Sequence, residues 1–112
     1  MLVATRELIF QTETGNEVSI LVALFSPVQN DKDWGCQYSI RWPNGVELRT
    51  IYGIDSAQAL VLAIQSVGNS LYMSDYHKTG RLRWEYPQDG YGFPVTNTIR
   101  DLLIGSDKAN EG

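Results

Sequence analysis

The only histidine of the chain, His77, lies in SDYHKTGRLRWEYPQDGYGFPV at 74–95, among Asp75, Tyr76, Lys78, Arg81, Arg83 and Tyr91. Imidazole titrates near pH ~6.5, so His77 can serve as a general base if Asp75 or Tyr76 orients it. That chemistry also needs a nucleophile within reach, and neighbours on a loop usually point apart. The competing reading is a solvated histidine at a helix exit, held by the negative end of the helix dipole. Arg81 and Arg83 lie two apart on an extended segment, roughly 7 Å at ~3.3 Å per residue. Together with Lys78 they can grip a phosphate or carboxylate, or else form a charged outer face paired with Glu85 and Glu47.

The other reactive groups point away from catalysis. Cys36 alternates with apolar residues, which suits a buried, inert thiol better than a nucleophile. Being the sole cysteine, it forms no internal disulfide and no paired-cysteine zinc site. Asp31 and Asp33 lack the glycine and distal glutamate of a calcium loop. No phosphate-binding loop, dinucleotide fingerprint or nucleophile elbow is present in the sequence. The expectation is a protein without catalytic residues, metal or cofactor.

Positioning these groups falls to a series of strands and one main helix. Residues 5–12 and EVSILVALFSPV at 17–28 flank the turn former ETGN and read as a hairpin whose second strand is central. WGCQYSIRW at 34–42 alternates, with Trp34, Cys36, Tyr38, Ile40 and Trp42 on one side. PNG at 43–45 turns the chain into VELRTIY, where Val46, Leu48, Thr50 and Tyr52 share a face. From Asp55 the period becomes helical: DSAQ supplies a cap, and Ala57, Leu60, Ile64, Val67 and Leu71 form a stripe ending near Met73, with Ser66 and Asn69 outside. Gly68 weakens that helix by up to about 1 kcal/mol. RLRWEY reads as a last strand with Leu82, Trp84 and Tyr86 in the core, and NTIRDLLIG as a short final helix. DGYGFP either displays an aromatic or folds Phe93 back as a lid on the core. The fold class is therefore α+β: an antiparallel sheet of about five strands under one long helix, in a single domain over 1–105 with a disordered tail at 106–112.

Composition limits the function classes. The chain of 112 residues is 43% hydrophobic and 20% charged, as in ordinary globular proteins. Thirteen acidic against nine basic residues, net −4, oppose nucleic-acid binding through phosphate neutralisation. MLVATRELIF lacks a basic region leading into an uninterrupted apolar run, and no stretch reaches the ~20 residues of a membrane span. These features point to a cytoplasmic protein that engages neither nucleic acid nor membrane.

YGIDSAQALVLAI at 52–64, LYMSDYHKTGRLRWEYPQDGYGFPV at 71–95 and IRDLLIG at 99–105 resemble a family of short bacterial proteins known as a domain of unknown function. The resemblance carries over no catalytic or binding residue. It implies a small acidic α+β protein, a class that often neutralises secreted toxins, so the leading expectation is a non-enzymatic protein-binding module of the immunity type with a cognate toxin as partner. Tyr76, Arg81, Arg83 and Tyr91 would anchor the partner, with His77 and Lys78 at the rim. The alternatives are an anion-binding protein or small enzyme built on His77, Arg81 and Arg83, and a homodimer joined through an exposed edge strand. Monomer or weak homodimer is the expected state.

Overall fold

The computed structural model describes residues 1–111. Strands β1 (Leu2–Gln11) and β2 (Glu17–Phe25) pair antiparallel from Leu2↔Phe25 to Gln11↔Glu17. At their tip the Thr12 N–H donates to the Asn16 carbonyl at 2.8 Å and the Gly15 N–H to the Thr12 carbonyl at 3.0 Å. Past Pro27 the chain resumes as β3 (Val28–Gln29), then β4 (Trp34–Trp42) and, after the two-residue turn Pro43–Asn44, β5 (Gly45–Gly53). The short β6 (Leu82–Arg83) completes a sheet ordered β5-β4-β2-β1-β6. Because β5 occupies one whole side of β4, β3 lies along the same side of β4 as β2 and extends it.

Helix α1 (Ser56–Tyr72) opens as DSAQ predicts: the Asp55 carboxylate accepts from the Gln58 N–H at 2.8 Å, and the Gln58 side chain reaches back to the Ile54 N–H at 2.7 Å. It lies over the face bearing Cys36, Tyr38 and Ile40, as expected. Its contact stripe is turned from the predicted one. Ala59, Ala63, Val67 and Leu71 are fully buried, Leu60 and Ile64 are half-buried flanks, and Ala57 is exposed. The cause is close approach: a Cβ on Gly53 would overlap the Ala59 backbone, so α1 rests on β5 through its smallest side chains and the larger ones move aside. Ser66 and Asn69 turn inward to make hydrogen bonds. Val46, Leu48, Thr50 and Tyr52 do share a face, and it is the one opposite α1.

The rest of the chain closes the core. After a turn of helix, α2 (Asp75–Lys78), and β6, the backbone leaves the sheet, so RLRWEY contributes only two paired residues. Leu82 is buried and Trp84 half-buried, but Tyr86 is 67% exposed and is no core residue. The return path buries Tyr91, Phe93 and Val95, then Ile99 and Leu103 around a 3-10 turn at Asn97–Leu102. Phe93 is thus the lid. Gly68 explains itself here: a Cβ would overlap the Pro94 carbonyl oxygen where this segment crosses α1, so the helix-weakening residue is the one that permits closure. In place of the expected disordered tail, α3 (Gly105–Glu111) docks and buries Asp107; Gly112 lies outside the described residues.

Candidate functional site

Two polar networks bear on the predicted site residues. The first lies under the closing segment. The Asp107 carboxylate accepts from the Tyr72 hydroxyl at 2.5 Å, the Tyr91 N–H at 2.8 Å and the Gly92 N–H at 2.9 Å. Gly90, at φ 87°, brings this backbone against the carboxylate, with no room for a Cβ. Tyr91 is therefore a core residue, 1% exposed, and not the displayed anchor expected. Its hydroxyl meets His77 Nδ1, and the His77 ring also packs edge-on to Tyr72 at 4.9 Å between centroids. Burial lowers the His77 pKa; burial, reinforced by Asp107, raises those of Tyr72 and Tyr91. At neutral pH the imidazole and both phenols are uncharged, which makes this a satisfied structural cluster.

The cations beside it are committed elsewhere. Arg81 Nε donates to the Gln11 carbonyl at 2.8 Å, Arg83 pairs with Glu17 at 2.9 Å, and exposed Lys78 lies 3.6 Å from Asp75. Arg6 spans the closing segment: it donates to the Tyr91 carbonyl at 3.0 Å and stacks on the Trp84 and Phe93 rings at 3.8 and 4.6 Å. Cys36 is buried, its thiol donating to the Phe25 carbonyl and its pKa raised by burial, as its place in the strand predicts.

The second network borders a solvent-filled groove, and no sequence motif marks it. Between β5 and the C-terminal half of α1 runs a groove of about 510 Å³ lined by Trp42, Glu47, Arg49, Ser70, Met73 and Tyr76, among others. Tyr76 stacks flat on Trp42 at 4.9 Å and meets Phe10 edge-on, so of the six predicted binding residues it alone lines this groove. Glu47 is the focus. Its carboxylate accepts from Trp42 Nε1 at 3.0 Å, Arg49 Nε at 2.9 Å, the Ser70 hydroxyl at 2.8 Å and the Tyr38 hydroxyl at 3.3 Å. Tyr38 also lies 3.0 Å from both Ser66 and Ser70. Burial alone would push the Glu47 carboxyl up, but the bonds from Trp42, Ser70 and Arg49 and the charge of Arg49 outweigh it and hold the pKa low. A carboxylate held this way is a poor base toward Ser70, because general-base work needs a pKa near the working pH. The array fixes side chains along an edge. Its sequence signal was available: Glu47 and Arg49 alternate inward on β5 while Ser66 and Ser70 stand one turn apart on α1.

The face of the sheet opposite α1 carries apolar groups at the same border. Val46, Leu48 and Tyr52 lie across from Arg41, Ser39 and Gly35, and each is more than half exposed. Tyr52 and Thr50 flank a depression of about 270 Å³ that also takes in Phe25, Val28, Gly35 and Gln37. Among the described residues, no three His, Cys, Asp or Glu side chains gather as metal ligands, and no helix is long and apolar enough to cross a membrane.

No curated protein and no solved structure matches the chain. A family model does match, over residues 4–95, and its span takes in β1 from Ala4, the other five strands, α1, α2 and the closing segment through Val95. The chain belongs to the family described as domain of unknown function DUF6968.

Proposed function

We propose that this protein acts by binding another polypeptide and carries out no chemistry of its own. The carrying observation is the β5 border, where Val46, Leu48 and Tyr52 project from a sheet face that α1 leaves uncovered, beside a depression sized for one inserted side chain. Contiguous exposed apolar groups next to a polar rim mark interaction surfaces, and aromatic residues at such places are frequent anchors. The acidic balance of the chain favours a partner with basic character. In its finer form the reading is an immunity-type role in a bacterial cytoplasm, occluding a toxin. The anchor then moves from the 74–91 stretch to β5, because Tyr91 is buried, Arg83 pairs with Glu17 and Arg81 Nε is taken by the Gln11 carbonyl, whereas the β5 residues carry the exposed apolar surface.

The test compares wild type with a Leu48→Asp, Tyr52→Asp double variant, as bait in host lysate and as protection against the product of the adjacent reading frame. Wild type should retain a specific chain and protect, and the double variant should do neither while keeping its circular dichroism. Equal capture by both, or loss on Arg81→Ala, Arg83→Ala instead, overturns the assignment.

A further inference from the structure

The same border has a backbone edge as well as a face. Among the described residues β5 pairs only with β4, so the other side of this nine-residue strand is a free edge. The two-residue turn makes Trp42↔Gly45 a hydrogen-bonded pair, and alternation carries that role to Glu47, Arg49, Ile51 and Gly53. The N–H and C=O groups of Val46, Leu48, Thr50 and Tyr52 therefore point away from β4 with no strand to meet them. Such an edge is usually blunted by an inward charge, and Glu47 and Arg49 play that part: an apolar strand added here would cover the exposed Arg49 guanidinium and offer it no acceptor beyond the Glu47 it already meets.

We infer that the strand this edge accepts is β5 of a second copy, paired antiparallel about a two-fold axis at Leu48. The inference rests on the polypeptide-binding reading and names one partner for it. Outward-pointing residues must face outward-pointing residues, which leaves a few registers two residues apart. With Leu48 opposite Leu48, Val46 faces Thr50, and Glu47 of each copy faces Arg49 of the other. Sliding one step in either direction sets Glu47 against Glu47 or Arg49 against Arg49. The charges that repel a stray strand thus favour the Leu48-centred register over its two neighbours, and among these symmetric registers it is the one that sets Glu47 opposite Arg49. Arg49 has the capacity: its side chain is 62% exposed and only Nε is engaged, by its own Glu47. Closure is isologous, giving one continuous sheet with Val46, Leu48, Thr50 and Tyr52 doubled on its open face.

Cysteine cross-linking of the full chain reads the register directly. Cα atoms of a hydrogen-bonded antiparallel pair lie about 5.5 Å apart, within disulfide range. Leu48→Cys should give a covalent dimer under mild oxidation, while Val46→Cys and Thr50→Cys should cross-link only when mixed; wild type, with Cys36 buried, should not. Light scattering should show twice the chain mass, and Arg49→Glu should raise the dissociation constant about tenfold. Leu48→Pro removes an outward N–H and no bond to β4, so it should be folded and monomeric. A single-chain mass across the concentration series, or cross-linking by Val46→Cys alone, overturns the inference. If wild type proves monomeric and still captures a foreign chain through Leu48 and Tyr52, the polypeptide-binding reading stands without it.

Discussion

Asp107 and Glu47 present a natural contrast. Each is a carboxylate that accepts from a tyrosine hydroxyl and from further donors, and each ties the sheet-and-helix core to a later or neighbouring segment. Asp107 is 5% exposed and has two backbone N–H groups and a phenol as its donors, all within the closing segment and α1. Glu47 faces a groove and shares its charge with an exposed arginine. A sealed carboxylate latches the fold; an open one keeps an edge charged and selective.

The largest expected effect tests the sealed member. Asp107→Ala leaves a phenol and two backbone amides without acceptors and should lower stability by about 3–5 kcal/mol in denaturant melts. A loss under about 1 kcal/mol would mean that the latch is not structural. Gly68→Ala comes next. Helix propensity favours alanine by up to about 1 kcal/mol, yet the added methyl must displace Pro94, so a net loss of about 1–3 kcal/mol is expected in thermal melts. Stabilisation by that change would show that the closing segment does not cross α1 closely. For the open member, Glu47→Gln should cost less, about 1–2 kcal/mol in denaturant melts, because the amide keeps one acceptor oxygen and the groove lets water reach the bonds that are lost.

The smallest effect is on pH dependence. The folded His77 pKa lies below its unfolded value of about 6.5, so its contribution is complete above that pH and is lost as pH falls through the folded pKa. Tyr72 and Tyr91 behave oppositely: their folded pKa values are raised, and their contribution is complete below about pH 10 and lost as pH rises beyond it. His77→Gln should flatten the acid slope that starts near pH 6.5 and leave the alkaline one intact, as followed by melting temperature across pH.

The sheet and its helix were legible because alternation along WGCQYSIRW, the cap at DSAQ and the turn at PNG are local signals that packing reinforces. The rotation of α1 was not, since it depends on how near Gly53 lets the helix come to β5. The tail is similar: SDKANEG reads as polar and fraying, and only the pocket made by Gly90, Tyr91 and Gly92 makes burial of Asp107 favourable. Tyr91 drew attention as an aromatic between two glycines, which marks display and burial equally until the backbone direction is known. Glu47 reads in the sequence only as a partner for Arg81 and Arg83, because a lone glutamate in a strand carries no motif; in the fold Arg83 pairs with Glu17, and Glu47 takes four donors from β4, β5 and α1.

Amide chemical shifts followed through a dilution series test most directly where recognition resides. The account predicts concentration-dependent shifts confined to residues 45–53 and the groove residues Ser66 and Ser70 that face them. Shifts centred instead on His77, Arg81 and Arg83, with β5 unchanged, would contradict it.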